Sequence, residues 1–414
     1  MTNAIAVIGA NYGDEGKGAA THYLARRYNI FHNVRFNGGS QAGHTVQIFK
    51  GPRHVFHNYG SSSFLRSTTW HTKDMLINPV SIEQERRDLQ EKGFTPSAIE
   101  VNPDCIVVSP WDIALNQFME LGRGGARHGS CGQGIGETVL RNLTESAPVL
   151  RAKDLHSPVE VNSFSSKMQS WYRKRVKEEI EKGTFQNLPL DIGVDEITSD
   201  GVMASASVWM LRYPMAFMTT AKVSNSGLTS AKPEGEHEGF IFEGAQGLLL
   251  DQNDLEHFPY LTRSNTGVQN VVDECVRSGL DLTDIYYVTR PYLTRHGAGP
   301  ILKGIPCGDL WEQGSCKTNI HNSYQGTISY AHLDWFALQQ RIKQDCAKAR
   351  GFNPKVRLII TCADQLSNQD SYQFYYGSSI EELDPYDEDA FKGHVESKLG
   401  IECILVDGRK GSLI

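Results

Sequence analysis

No two of the eight cysteines in this 414-residue chain (Cys105, Cys131, Cys275, Cys307, Cys316, Cys346, Cys362 and Cys403) stand at the C-x-x-C spacing of zinc and redox sites. Their scatter argues against a cysteine-clamped metal and fits a reducing compartment. Basic charge is not in excess either. The 41 Lys and Arg face 48 Asp and Glu, a net charge of −7, which excludes a protein that coats nucleic-acid polymers but leaves room for a local basic pocket. No apolar stretch reaches the roughly 18 residues that a membrane span needs, so no membrane partner is expected. Only Thr2 and Asn3 separate Met1 from AIAVIGA, and no basic segment precedes that run, so it reads as a buried first strand and not as a signal peptide. The expected location is the cytoplasm, of a cell or of the host of a virus. The chain has no internal repeat, low-complexity tract or obvious linker. With 39% hydrophobic and 21% charged residues, this predicts one large globular domain over residues 1–414, with helical and loop insertions at about 80–235 and 304–330.

What is present is an alternation of short apolar runs with helical or turn-rich stretches. Ala4 to Ala10 reads as a parallel-type strand, followed by a Gly-rich turn and a helix from about Lys17 to Arg27. Further runs at Asn33–Phe36, Cys105–Val108, Phe240–Glu243, Ile285–Thr289, Val356–Thr361 and Cys403–Val406 predict more strands. Ser81 to Lys92, Ser163 to Lys182 and Leu333 to Lys348 carry helical spacing with charged outer faces. The fold class expected is α/β, with a large, mostly parallel central sheet flanked by helices. The Gly/Ser-bearing stretch from Gly304 to Ser329 is the best candidate for a long functional loop.

The first Gly-rich turn, Gly13-Asp14-Glu15-Gly16-Lys17-Gly18, lies where a phosphate loop would. A strict Walker A pattern fails, because Asn11 stands at the first Gly and Gly18 replaces the Ser or Thr that would touch Mg²⁺. The physical ingredients remain: glycines that let backbone N–H groups approach phosphates, a helix N-terminus that favours anions, and Lys17 as a point charge. Asp14 is positioned to hold a metal in place of the missing hydroxyl; its plainer reading is a turn residue capping the helix. A second Gly-rich segment, Asn37 to Thr45, follows the second strand, which is expected to neighbour the first. His44 within it would then reach the same ligand as Asp14, and an imidazole can donate a proton to a transferring phosphoryl oxygen.

These residues resemble the adenylosuccinate synthetase family, which carries GDEGKGK after its first strand and NAGHT after its second. The chain reads GDEGKG at 13–18 and QAGHT at 41–45. The likeness continues at GSCGQGIG (129–136) beside GTTGRGIGP, at EGAQG (243–247) with FPYLTRSNTG (258–267) beside EGAQG and YPFVTSSNTT, and at TCAD (361–364) beside TKLD. It implies a P-loop-related fold and a two-step ligation. Asp14 would take the N1 proton of a 6-oxopurine nucleotide and hold Mg²⁺ together with Gly43. His44 would support transfer of a γ-phosphate to O6, and Lys17 would stabilise the phosphate oxygens. L-aspartate would then displace phosphate at C6.

The same resemblance places Gly13, Glu15, Gly16, Gly18 and Thr262 among the nucleotide- and phosphate-binding residues, Gln41 and Gln246 on the base, Ser130 and Cys131 in the 5′-phosphate pocket, and Asp364 on the guanine of GTP. Cys362 stands where the family has a lysine, so ATP stays open as the donor. Arg141 resembles an arginine that reaches the partner subunit's phosphate site, implying a homodimer with a shared active site.

The chain departs from the family at the amino-acid loop. Where the family reads TTGRRRR…WLD, residues 324–334 include Gln325, Gly326, Thr327 and Ser329 and no arginine, and Gln133 replaces an arginine of the GRGIG segment. Lys317, Arg290 and Arg295 are the nearest candidates to compensate. The NSYQG stretch is similar to a phage class that ligates aspartate to dGMP, giving a precursor of 2-aminoadenine, yet that class carries a small residue at the place of Asp14. IMP and dGMP both stand as substrates. The competing readings are a catalytically silent nucleotide sensor and a generic P-loop GTPase.

Overall fold

The computed structural model describes residues 2–189, 194–231, 239–301, 304–305, 323–363, 372–383 and 387–406. Its strands are β1 (Thr2–Gly9), β2 (His32–Arg35), β3 (His44–Gln47), β4 (Arg53–Phe56), β5 (Thr68–His71), β6 (Ile99–Val101), β7 (Ala221–Val223), β8 (Phe240–Gly247), β9 (Leu280–Thr289), β10 (Tyr292–His296), β11 (Gly304–Ile305), β12 (Ile328–His332), β13 (Lys355–Thr361), β14 (Tyr372–Tyr376), β15 (Ser379–Leu383) and β16 (Glu402–Val406). The helices are α1 (Lys17–Tyr28), α2 (Pro79–Glu91), α3 (Pro110–Arg123), α4 (Ile135–Leu143), α5 (Pro158–Glu181), α6 (Val194–Thr198), α7 (Asp200–Thr220), α8 (Gln269–Ser278), α9 (Trp335–Cys346) and α10 (Glu388–Leu399).

Nine strands form one sheet in the order β16-β13-β9-β1-β8-β2-β5-β6-β7, and every pairing within it is parallel. The expected α/β class is what forms. β1 is buried on both faces, as a central parallel strand must be. Ala4, Ala6 and Ile8 pack with Phe240, Phe242 and Leu282 on one face. Ile5 and Val7 meet Leu24 and Ala25 of α1 on the other. Truncating a side chain as fully enclosed as Leu24 to alanine costs roughly 2–5 kcal/mol.

The segment from α2 to β7 has its own apolar core, in which Ile82, Leu89, Trp111, Leu115, Phe164, Met210 and Phe217 meet. Its helices start where the sequence supplies caps. Asn78 accepts from Ser81 ahead of α2, and Ser109 with Asp112 forms a capping box at α3. This segment also extends the main sheet through β6 and β7.

Two expectations are corrected. Cys105–Val108 is buried but forms no strand: Val107 and Ile106 make isolated bridges to Ile77 and Arg151. The apolar run reported burial, which a loop threaded between two neighbours satisfies equally well. β2 is also not adjacent to β1, because β8 lies between them. The carboxyl ends of β1, β8 and β2 therefore sit side by side, and the crevice outside such ends is where open α/β sheets bind ligands. Among the described residues no helix is long and apolar enough to cross a membrane.

Candidate active site

At the carboxyl end of β1 the chain turns through Gly13 and Gly16, both at positive φ, to enter α1. The turn is organised around an internal anion. Glu15 accepts from the backbone N–H of Asn11 (3.0 Å) and of Gly13 (2.7 Å) with one oxygen, and from Lys17 Nζ (2.9 Å) with the other. Lys17 also donates to the Gly13 carbonyl at 2.7 Å and is 1% exposed. Glu15 and Lys17, expected at the phosphates, are here engaged with the loop itself. The loop amides already serve a carboxylate, and the lysine beneath the loop neutralises it. Thr361, at the end of β13, donates to the Glu15 carbonyl and packs against Gly16.

Asp14 projects from this turn into a cleft of about 1180 Å³. That volume exceeds the usual span of a single small-molecule site. Burial raises the Asp14 carboxyl above the ordinary carboxylate range, against the pull of Arg290, whose Nε donates to the Asp14 carbonyl at 2.6 Å. A carboxylate so placed is a stronger base than an exposed one.

His44 lines the same cleft from the start of β3. Gly18 of α1 fits against its backbone and Cβ so closely that an added methyl would lie 2.8 Å from both, which ties the two loops together. His44 Nδ1 lies 2.5 Å from Glu243 Oε1, in β8. The Glu243 carboxylate also accepts from Ser61 Oγ, from Ser61 N at 2.9 Å and from Asn33 Nδ2 at 3.0 Å. Burial alone would raise Glu243, but His44, Arg35 and Ser61 outweigh it and hold it down at about 2. His44 is lowered to about 4, chiefly by burial. Near pH 7 the pair is therefore a carboxylate and a neutral ring with its proton on Nδ1. Nε2 is buried and has no partner among the described residues.

Gln41 and Gln246 line the cleft, and both polar atoms of the Gln41 amide are buried without a partner among the described residues. A buried polar group normally has one, so the unpaired His44 nitrogen and Gln41 amide together mark a place for a polar ligand. Gly13, Gly43, Ser130, Cys131 and Thr262 also border this space; Glu15, Gly16, Lys17 and Gly18 lie behind it. Ser130 Oγ donates to Asn116 at 2.9 Å, and the same Asn116 oxygen accepts from Gly134 N at 3.1 Å, so α3 fixes the loop that leads into α4. Burial pushes the Cys131 thiol up to about 11, which makes it a neutral wall and not a nucleophile.

Arg141, expected to reach a partner subunit's phosphate site, is engaged within its own chain. It is fully buried, donates to both Asp112 oxygens at 3.0 and 2.9 Å and caps the carbonyls of Val107 and Pro148. It stands one turn on from the buried Thr138, on the inner face of α4, and its guanidinium is turned into this chain. Arg295 is likewise used internally, on the carbonyls of Ala298, Pro300 and Tyr260. In the amino-acid loop, Gln325 borders the cleft and Gly326 accepts from His296. Thr327 and Ser329 are exposed and do not line it. Asp364 and Lys317 lie outside the described residues.

Sequence reasoning gave no role to Glu243, Arg35 or Arg263. Only the EGAQG match signalled Glu243, and nothing local signalled Arg35, whose importance depends on where β2 sits in the sheet.

Among the described residues no three His, Cys, Asp or Glu side chains cluster as a protein cage for a metal. Oxygen donors suited to Mg²⁺ are nevertheless present, because the Asp14 carboxylate and Gly43 border one cleft and no described residue hydrogen-bonds that carboxylate. Mg²⁺ shared with substrate phosphates needs only one or two such protein ligands.

A family model described as adenylosuccinate synthetase matches residues 6–309. The adenylosuccinate synthetase of Proteus mirabilis is 32% identical over 314 residues, covering 72% of this chain and 64% of that protein. The Acinetobacter baylyi enzyme of the same name is 30% identical over 305 residues, with the same coverage. In these two alignments the chain spans just under two thirds of its relative; against the Lactobacillus acidophilus enzyme, 26% identical, it spans 84%. Among solved structures, fully ligated adenylosuccinate synthetase from Plasmodium falciparum superposes with a TM-score of 0.69 at 16% identity, covering 97% of this chain and 96% of that one. The succinoaminodeoxyadenylate synthetase of cyanophage S-2L, bound to dGMP and to dATP as energy donor, gives 0.57 at 13% identity, covering 98% and 91%. At these identities the two structures speak for the fold alone.

Proposed function

We propose, since this chain belongs to the adenylosuccinate synthetase family, that it is a carbon–nitrogen ligase. It would use a nucleoside triphosphate to phosphorylate O6 of a purine mononucleotide and replace that oxygen with the nitrogen of L-aspartate. The observation that carries this reading is the convergence on one cleft of the Asp14 carboxylate, of His44 Nε2 and of the Gln41 amide, the last two without a partner among the described residues.

In this reading Asp14, its basicity raised by burial, removes the N1 proton so that charge gathers on O6. His44 enters as the neutral ring held by Glu243. Negative phosphoryl oxygens arriving at Nε2 raise its affinity for a proton, so the ring takes one up from solvent there and donates that N–H to the oxygen under transfer. Gln41 supplies one acceptor and two donors, enough to hold the edge of the base. Mg²⁺, held by Asp14 and Gly43, would supply neutralisation of the phosphate charge. Lys17 acts from beneath the loop through Glu15 and the Gly13 carbonyl.

IMP is supported by the intact Asp14. The second reading, dGMP as in the phage class, is favoured by the loop at 324–334, which carries no arginine. GTP and ATP are both retained as donors. A homodimer is proposed from the family alone, since Arg141 does not support it. The test is phosphate release with IMP, GMP or dGMP, each with GTP or ATP and each with aspartate or other amino acids. Product only with a 6-oxopurine monophosphate and an amino acid supports the reading; tight nucleotide binding without turnover in every combination replaces it with a nucleotide sensor.

A further inference from the structure

Six arginine and lysine side chains among the described residues line the cleft: Arg123, Lys174, Arg175, Lys182, Arg263 and Arg295. Five of them are already engaged. Arg123 pairs with Glu120 at 2.7 Å, Arg175 with Glu137, Glu178 and Glu179, Lys174 with Glu178 at 4.0 Å and Lys182 with Glu179 at 2.8 Å. Arg295 spends its guanidinium on three backbone carbonyls. Arg263 has no hydrogen bond or ion pair with any described residue.

Its placement is specific. Arg263 follows Thr262, and its Cδ lies 3.9 Å from where a Cβ on Gly136 would stand, in the first turn of α4. The first-turn N–H groups of a helix have no partner within it, and α4 follows the loop on which Ser130 and Cys131 sit. The Thr262 hydroxyl, a helix N-terminus and a free planar fork of donors together suit a tetrahedral oxyanion. The corresponding residue in the resembling family segment is serine, so this chain gains a cation here while Arg141 is committed to Asp112.

We infer that Arg263 supplies, from the same chain as Asp14 and His44, the cationic contact to the 5′-phosphate of the purine mononucleotide. This rests on the reading of the cleft as a purine-nucleotide site and adds the residue that selects the phosphorylated form. Arg263 is exposed, so replacing it leaves the fold intact.

The experiment compares wild-type protein with Arg263→Gln and Arg263→Lys by calorimetric titration of IMP, inosine, dGMP and deoxyguanosine, with GTP, ATP and the KM for aspartate measured alongside. Loss of one charge-assisted contact predicts that Arg263→Gln weakens monophosphate binding about ten- to a hundredfold. Nucleoside binding, triphosphate binding and the KM for aspartate should stay within about twofold, and lysine should restore part of the loss. Unchanged monophosphate affinity in Arg263→Gln overturns the inference. A loss that falls on the triphosphate or on aspartate also overturns it and assigns Arg263 to that anion. Mixing Arg263→Gln with Asp14→Asn protein should restore no activity; recovery would place the arginine in a partner's site and overturn the same-chain assignment. If the wild-type protein binds none of the four purine compounds, the purine-nucleotide reading itself fails.

Discussion

His44 and Glu243 share a 2.5 Å hydrogen bond, and the Glu243 carboxylate is held in turn by Ser61 and Asn33. The bond spans two strands of different sheets and fixes which ring nitrogen is left for the cleft. Glu243→Gln keeps the size but removes the charge that holds the proton on Nδ1. The expected outcome is a fall in kcat of about a hundredfold or more with little change in nucleotide affinity, read by steady-state kinetics beside equilibrium binding. Equal losses in both would mean that the pair merely shapes the pocket.

Arg290 sets the basicity of Asp14. Burial raises the carboxyl and Arg290 opposes that rise, so the ascending limb of kcat/KM should lie above the ordinary carboxylate range. Arg290→Gln removes the opposing charge and should move the limb to higher pH. A limb that stays in place, or moves down, contradicts the assignment of Asp14 as the base. Asp14→Asn should lower turnover by about 10²–10⁴-fold at every pH while the protein still binds nucleotide.

His71 gives a stability test away from the cleft. Burial lowers it to about 4, and its Nε2 lies 2.8 Å from the Asn58 carbonyl, where the neutral ring donates. A histidine whose folded pKa lies below its unfolded value of about 6.5 contributes stability that is complete above that value and is lost as pH falls towards 4. Asp14, Asp74, Glu120 and Glu137 are raised and act with the opposite sign, so the comparison must be with a variant. The drop in melting temperature from pH 7.5 to pH 5 should be smaller in His71→Asn than in wild type. Equal drops would show that His71 is protonated in the folded protein.

Arg141→Ala leaves Asp112 buried without its partner. Breaking such a pair from one side costs about 3–5 kcal/mol, measurable by denaturant unfolding. Nucleotide affinity of the protein that remains folded should be unchanged. A selective loss of affinity without loss of stability would return Arg141 to the phosphate site.

The legible part of this molecule was whatever a short window of sequence encodes. Ala4 to Ala10 announced a buried parallel strand, and the charged faces of α2, α5 and α9 announced surface helices. Asp14 and His44, read from their Gly-rich loops, and Gln41 and Gln246, taken from the resemblance, do border one cleft. Strand order was not legible: β8 enters between β1 and β2 from some two hundred residues away, and with it comes Glu243. The burial of Arg141 was not legible, because a sequence shows an arginine's charge and not the face of the helix it occupies. Arg263 passed unnoticed because its meaning depends on the other described Arg and Lys side chains of the cleft being engaged, which only the three-dimensional arrangement reveals.

The central claim, that the purine oxygen leaves as part of the released phosphate, has a direct test. IMP and dGMP, each labelled with ¹⁸O at position 6, are turned over with unlabelled triphosphate, Mg²⁺ and aspartate, and the inorganic phosphate is analysed by mass spectrometry. The account predicts one ¹⁸O atom in each phosphate formed from the nucleotide that is turned over. Phosphate without label, with ¹⁸O left on the purine or lost to water, would contradict it.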